Sequence, residues 1–244
     1  MFTSTAETAV SVADPSDFIQ APPIAKRAPA PPAKTPRPRN EAALAEVLRH
    51  PGVWRRGTAS RPKIDVEPTG NASLDARLPG AGWPRGALSE ILIENDGLGE
   101  CSLLLPALAA LTQAGRRVVF VAPPYIPYPP ALADAGIDLA HVVCIDAADA
   151  ETHWTAEQCL RAGCCGAVLS WMPRTDYRQL RRLQLAAETG AAIGFVFRPL
   201  AAARETSPAA LRVQVAMAQG GPRVEILKCR GRVGESSEAA LLSA

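Results

Sequence analysis

Residues 87–114 read ALSEILIENDGLGECSLLLPALAALTQA, and this stretch decides the fold. The largely apolar segment Ala87–Ile93 predicts a strand, and a glycine-containing turn follows it. Residues 99–114 then have the length and composition of a buried helix. A strand that passes through a glycine turn into a helix is typical of the first unit of an α/β domain.

The rest of the chain repeats this alternation. Further strands are predicted at residues 117–122, 141–145, 167–171 and 192–197, and further helices at residues 130–135, 150–162 and 176–189. Such alternation implies a parallel sheet with right-handed crossovers. Residues 210–216 and 223–229, separated by a QGGP turn, predict a terminal hairpin. Residues 64–232 are thus the predicted core, and residues 233–244 a flexible C-terminus.

The segment in front of the core has a different composition. Residues 1–39 are rich in Pro and Ala, so we expect a disordered tail. Residues 40–63 predict a short helix, with Leu44, Val47 and Leu48 on one face, then Trp54 and a basic linker. We expect this segment to dock on a partner protein or another protomer; the alternative is that it folds back on its own core.

Charge and cysteine spacing exclude several kinds of site. The net charge is +2, but the basic excess lies before residue 64, so the slightly acidic core is not expected to bind DNA strongly by itself. The six cysteines include no C-x-x-C pair, so we expect no metal site, and no cofactor is predicted. No secretory signal and no apolar run of about 18 residues is found, so a cytoplasmic location without a membrane span is expected.

A glycine-rich element stands in front of the first core strand. Pro68-Thr69-Gly70 is followed by Ser73-Leu74-Asp75 and then by the stretch PGAGWPRG at residues 79–86. These elements resemble the T-G-x-x-x-L-D and glycine turn that precede the phosphate loop in RecA/RadA recombinases. The resemblance covers roughly residues 64–230 and implies a three-layer RecA-like core of the P-loop NTPase type. The alternative is an unrelated α/β domain with a Gly/Pro-rich loop.

The resemblance also implies that the nucleotide site is degenerate. In a P-loop, backbone N–H groups and a lysine bind phosphates, and a Ser or Thr holds Mg²⁺. Here Gly97 and Gly99 remain, but Glu94 replaces the first glycine, Glu100 the lysine and Cys101 the hydroxyl residue. Ser102 is the alternative metal ligand. We therefore predict a protein that is not an enzyme.

Two other positions agree with that prediction. Active RecA relatives carry a carboxylate just after the second core strand, where this chain has a proline-rich stretch that includes Pro124. They carry another carboxylate at the end of the fourth core strand, where this chain has Trp171. The resemblance thus predicts no catalytic residue at any of the three places.

Residues 102–108 and 194–199 resemble a branch of inactive RecA relatives that includes the SulA and ImuA families. The stretch HPGVWR at residues 50–55, joined to a complete glycine-rich front element, resembles the ImuA family of translesion-synthesis-associated proteins. That resemblance implies an adaptor in SOS-induced translesion DNA synthesis. Its partners would be an inactive Y-family-like polymerase subunit, an error-prone C-family DNA polymerase and possibly RecA, through which it would reach the nucleoid. The alternatives are a SulA-like inhibitor of cell division acting on FtsZ, and a weak nucleotide-binding regulator or residual ATPase.

Two groups of basic residues are candidate partner-binding surfaces, although each also fits an ordinary solvated face. The first group consists of Arg174, Arg178, Arg181 and Arg182, and the second includes Lys228 and Arg230. Direct DNA binding by either group is expected to be weak or absent.

Overall fold

The computed structural model describes residues 65–97, 99–218, 221–230 and 240–241, and a mainly parallel sheet runs through them. The strands are β1 Val66–Glu67, β2 Trp83–Pro84, β3 Ala87–Ile93, β4 Arg117–Val121, β5 Val142–Ile145, β6 Cys165–Trp171, β7 Ile193–Pro199, β8 Leu211–Ala218, β9 Gly221–Cys229 and β10 Ala240–Leu241. The helices are α1 Ala72–Asp75, α2 Leu105–Gln113, α3 Pro129–Asp134, α4 Asp149–Arg161 and α5 Tyr177–Gly190. Short 3₁₀ turns occupy Glu100–Leu103, Leu139–His141 and Leu200–Arg204.

The order of the main sheet is β10-β9-β8-β3-β7-β6-β4-β5 in the described part of the chain. The strands from β8 to β5 are parallel, whereas β9 is antiparallel to β8 and β10 to β9. The predicted parallel sheet and terminal hairpin are therefore confirmed. Because the strands are parallel, the carboxyl ends of β3, β7, β6 and β4 meet at one edge of the sheet.

Helices cover both faces of the sheet. On one face α2 buries Leu108 and Leu111, together with the preceding Leu104, against strand residues such as Phe120 and Phe195. On the other face α4 and α5 bury a second cluster that includes Leu160, Leu180 and Leu183. Most of these positions are aliphatic, in keeping with the low aromatic content of the sequence.

Helix α2 begins later than the sequence predicted. The predicted helix started at residue 99, but residues 100–103 form a 3₁₀ turn and α2 starts at Leu105. Pro106 explains the difference, since proline has no N–H and fits only the first turn of a helix. Helix α5, by contrast, begins where predicted, because Asp176 and Gln179 form a capping box.

The front element packs directly onto the start of α2. The Asn71 side chain caps α1, and the Thr69 N–H donates to Asp75 Oδ1 at 3.0 Å. Gly70 has a φ of +80°, and a Cβ there would lie 2.3 Å from Pro106 Cβ. The glycine of the T-G-x-x-x-L-D element is therefore required both by its conformation and by this close approach.

Several predicted segments lie outside the described residues. The predicted tail, residues 1–39, and the predicted docking segment, residues 40–63 with Leu44, Val47, Leu48 and Trp54, are among them. Of the predicted flexible C-terminus only β10 is described, and it pairs with β9. Among the described helices none is long and apolar enough to cross a membrane.

Candidate functional site

The loop after β3 follows the carboxyl end of the central strand. Gly97 and Gly99 both adopt left-handed conformations, with φ values of 81° and 87°. A Cβ at Gly97 would lie 3.0 Å from Tyr125 Cε2, so the Tyr125 ring covers this part of the loop. Both glycines of this loop therefore stand where a side chain would be strained.

The Glu100 carboxylate points back into its own loop. Glu100 is only 5% exposed, and the Gly97 N–H donates to its Oε1 at 3.1 Å. Its Oε2 is buried and has no hydrogen-bond partner among the described residues. The Glu100 side chain thus accepts a backbone N–H of its own loop through one oxygen, and its other oxygen has no partner among the described residues.

Two neighbouring groups, Asp96 and Cys101, have raised pKa values. Burial, and next the charge of Glu100, raise the pKa of Asp96. Burial, followed by the charges of Glu100 and Asp96, raises the pKa of Cys101 to about 12. Cys101 is therefore a protonated thiol at neutral pH, whereas a cysteine binds metal as the thiolate. In the described part of the chain no three His, Cys, Asp or Glu side chains come together as metal ligands.

An aromatic stack occupies the adjacent carboxyl ends of the strands. Trp171 stacks on Phe197 with ring centroids 4.5 Å apart, and on Phe120 at 6.4 Å. Trp171 stands where the resemblance expected a lost carboxylate, and Pro124 lies in the exposed loop after β4. The cavity left between this stack and the loop is about 80 Å³, whereas pockets for small-molecule ligands usually measure roughly 300 Å³ or more.

A buried ion cluster beside this site was missed by the sequence analysis. Glu90 of β3 is 0% exposed, and its Oε2 lies 3.4 Å from Arg198 Nη1 and 3.1 Å from Arg212 Nε. Ser207 Oγ donates to the other carboxylate oxygen. Arg198 also contacts Glu205 Oε2 at 2.7 Å. The only indication in the sequence was a single charged residue within each of three mainly apolar strands.

Arg212 extends this cluster to the backbone of the β7–β8 connection. Its Nη2 donates to the Ala202 carbonyl at 2.7 Å, and its Nη1 to the Glu205 carbonyl at 3.0 Å. The cluster therefore fixes residues 200–208 on the end of the sheet.

The predicted basic residues fall on two separate parts of the structure. Lys228 Nζ donates to the Ser207 carbonyl at 2.6 Å and Arg230 Nη2 to the Pro208 carbonyl at 3.5 Å, so both contact the β7–β8 connection. The other four are on or just before α5. Arg174 pairs with Asp149 at 3.3 Å and Arg182 with Glu157 at 2.6 Å, while Arg178 and Arg181 are exposed.

Comparison with known proteins gives two kinds of relative. Residues 86–194 match the model of the family described as cell division inhibitor SulA, a range that runs from the residue before β3 into β7. A SulA from Photorhabdus laumondii is 32% identical over 111 residues, which are 45% of this chain and 63% of that protein. A RecA from Streptomyces ambofaciens is 34% identical over 106 residues, which are 42% of this chain and 28% of that protein.

The chain thus spans less than two thirds of either relative. The crystal structure of SulA from Pseudomonas aeruginosa aligns at 25% identity with a TM-score of 0.39, over 46% of this chain and 97% of its own. Residues 86–194 are therefore a SulA-like region, and the chain also has partial similarity to RecA.

Proposed function

We propose that this chain is a non-catalytic protein of the SOS response that acts by binding other proteins, built on a RecA-like core with a degenerate nucleotide site. The observation that carries the proposal is the Glu100 carboxylate, which already accepts the Gly97 N–H of the loop. Similarity to both SulA and RecA supports an SOS-related role.

The charges of the loop argue against nucleotide. A phosphate entering it would meet Glu94, Asp96 and Glu100, and one unit charge at 4 Å repels another by about 4 kcal/mol at an effective dielectric of 20. It would also have to displace Glu100 from Gly97. The aromatic stack leaves little room at the strand ends, which supports the same conclusion.

The finer role we favour is an adaptor in translesion DNA synthesis. The resemblance to ImuA supports it, as does the extent of the fold beyond the SulA-like region. The β8–β9 hairpin continues the main sheet past residue 194, and the front element at residues 69–75 packs on α2. The proposed partners are the inactive Y-family-like polymerase subunit, the error-prone C-family polymerase and RecA.

Inhibition of cell division by binding FtsZ is the second candidate, and it is supported at least as well. The SulA family match over residues 86–194 and the 32% identity to a SulA favour it. Both candidates use the same non-catalytic core, so the loop geometry does not separate them.

A paired assay separates these functions. Purified chain is added to polymerising FtsZ, and polymer is measured by light scattering; in parallel, deletion of the gene is scored for damage-induced mutation frequency. The adaptor role predicts unchanged FtsZ polymer and a loss of induced mutations. The inhibitor role predicts less polymer, and filamentous cells on overexpression.

A third measurement addresses the residual ATPase. ATP turnover with single-stranded DNA should equal a buffer control while RecA in the same buffer is active. DNA-stimulated turnover that disappears in Ser102→Ala would overturn the non-catalytic proposal.

A further inference from the structure

Strand β5 is the last strand of the main sheet on one side. It pairs in parallel with β4, and no other described strand lies along its opposite edge, hereafter the β5 edge. An unpaired edge presents backbone N–H and C=O groups that can hydrogen-bond to another strand. The β5 edge is therefore a possible place for the sheet to continue into another chain.

One hydrogen bond identifies the backbone groups that point outward from β5. The Ala122 N–H donates to the Ile145 carbonyl at 2.9 Å, so this carbonyl points toward β4. Because the direction of these groups alternates along a strand, both backbone groups of Cys144 point away from β4, as do the Val142 carbonyl and the Asp146 N–H. The Val142 N–H donates to the preceding 3₁₀ turn. The β5 edge thus presents two donors and two acceptors.

These four groups match themselves under a two-fold rotation. When a second copy of β5 runs antiparallel with Cys144 opposite Cys144, these two residues exchange two N–H···O bonds. The Asp146 N–H of each copy then meets the Val142 carbonyl of the other copy, which gives two more bonds. A register centred on Val143 leaves the Asp146 N–H without a β5 group opposite, and one centred on Ile145 leaves the Val142 carbonyl without one.

The side chains of β5 also suit this register. Ile145 packs against the core cluster of α4 and α5, whereas Val142 packs against that of α2, so alternate residues face opposite sides of the sheet. In the antiparallel pair Val143 of each copy lies beside Ile145 of the other, and such β-branched pairs stabilise a sheet. Val143 is 37% exposed, so this contact covers apolar surface. Edge strands are commonly protected by a charge or a proline, and Val142–Ile145 has neither.

Exposed apolar side chains are frequent in the chain segment that includes β5. Of the eight large apolar side chains that are exposed in the described part of the chain, five lie in β5, in the turn before it or in the loop after β4: Tyr125, Ile126, Tyr128, Leu139 and Val143. Single exposed apolar residues are ordinary, but their concentration in one region marks a surface that contacts protein.

We propose that the chain forms a symmetric dimer in which two β5 edges pair antiparallel about Cys144. The partner is a second copy because the four backbone groups and the Val143–Ile145 contacts complement themselves. Each copy contributes a strand of four residues, so we expect a weak dimer with a dissociation constant in the micromolar range. Dimerisation is measured without polymerase, FtsZ or ATP, so its outcome is independent of the proposed function.

Sedimentation velocity of the full chain in reducing buffer, over a series of concentrations, tests the proposal. The parent chain should shift from monomer to dimer. Cys144→Pro removes an N–H that points away from the chain's own sheet, so the fold is kept while two of the intermolecular bonds are lost. Its dissociation constant should rise roughly tenfold or more. Cys144→Ala keeps the N–H and should dimerise like the parent, and equal melting temperatures confirm that both variants are folded.

A charge swap tests whether residue 144 faces itself. Cys144→Lys and Cys144→Glu should each dimerise severalfold more weakly than the parent, because like charges lie opposite each other. A mixture of the two should form a heterodimer more tightly than either alone, and high salt should weaken this rescue. Cys164→Lys and Cys164→Glu, at another exposed cysteine, are the matched controls and should dimerise like the parent.

Backbone hydrogen exchange supplies an independent readout within the same strand. The amides of Val143 and Ile145 face β4 and should exchange slowly at every concentration, whereas those of Cys144 and Asp146 should become slow only in the dimer.

The proposal is wrong if the parent stays monomeric at every concentration, if Cys144→Pro dimerises like the parent, or if mixing the Lys and Glu variants gives no rescue. Slow exchange of the Cys144 and Asp146 amides in the monomer would also overturn it, because residues of the same chain would then cover the β5 edge.

Discussion

Glu90 and Glu100 are two buried carboxylates ten positions apart, and the fold treats them differently. Glu90 is surrounded by Arg198, Arg212 and Ser207. Glu100 has one backbone N–H and one orphaned oxygen. A buried charge with complete partners holds a structure together, whereas a half-satisfied one lowers stability. The comparison indicates that Glu90 stabilises the fold, whereas the Glu100 carboxylate is only partly satisfied by its own loop.

Breaking the Glu90 cluster should have the largest effect. Arg212→Ala leaves the Glu90 carboxylate with one arginine and frees the 200–208 connection, so the free energy of unfolding should fall by about 3–5 kcal/mol. Urea unfolding followed by tryptophan fluorescence measures it. Arg204→Ala, an exposed arginine in the same connection, should change it by less than about 0.5 kcal/mol. If Arg212→Ala lowers the free energy of unfolding by less than about 1 kcal/mol, the Glu90 cluster is not a major source of stability.

Neutralising Glu100 should have a smaller effect of opposite sign. Glu100→Gln keeps an oxygen to accept the Gly97 N–H and removes a buried charge with an unpaired oxygen, so the free energy of unfolding should rise by about 1 kcal/mol at neutral pH. The same urea titration detects the gain. Glu94→Gln, at an exposed position of the same loop, is the matched control and should leave stability unchanged. Destabilisation by Glu100→Gln would mean that the ionised carboxylate is needed to hold the loop.

The sequence analysis identified Glu100 as a candidate site residue but did not identify the cluster around Glu90. Strand β3 was predicted to the residue because an apolar run before a glycine turn is a local pattern. Glu100 was identified as a candidate site residue because the resemblance of its loop to a phosphate loop is also a local pattern. The Glu90 partners lie 108 and 122 residues away, and they meet it only through the parallel pairing of β3 with β7 and β8. No sequence pattern could supply that pairing.

The close approach of α4 and α5 was missed for a similar reason. The arginines of α5 were identified as a candidate surface, but the contact between Gly190 and the Leu160 backbone joins residues that are distant in the sequence. The late start of α2 was predictable in principle, since Pro106 already limits the helix to begin near it.

A still smaller effect is expected from Asp96, whose raised pKa should make the stability of the protein depend on pH. Burial, and next the charge of Glu100, raise the pKa of Asp96 in the folded protein above its ordinary value of 3.8. Its ionisation therefore costs stability as pH rises through the folded pKa, and this cost is absent below 3.8. Asp96→Asn should be more stable than the parent chain at neutral pH, and the difference should vanish in acid.

Asp138 provides a control of opposite sign for that measurement. The Ala140 N–H and His141 lower its pKa, so its contribution to stability is present above 3.8 and is lost as pH falls through the folded pKa. Asp138→Asn should therefore be less stable than the parent chain at neutral pH. Two variants with the same sign would contradict the charge assignments at one of the two sites.

The smallest expected effect is on the thiol beside Glu100. Burial raises the pKa of Cys101 to about 12, with the charge of Glu100 as the second cause. The thiolate is the reactive form, so iodoacetamide at pH 8 should label Cys101 far more slowly than the exposed Cys164.

Glu100→Gln removes the second cause but not the first, and it should speed Cys101 labelling only by roughly threefold, a fraction of a pKa unit. Mass spectrometry of each tryptic peptide measures the two rates in one sample, with Cys164 as the internal reference. An unchanged labelling rate would mean that burial alone protects the Cys101 thiol and that the Glu100 charge does not affect its pKa. An increase of a hundredfold would instead mean that the substitution opens the loop, because loss of one charge could not account for it.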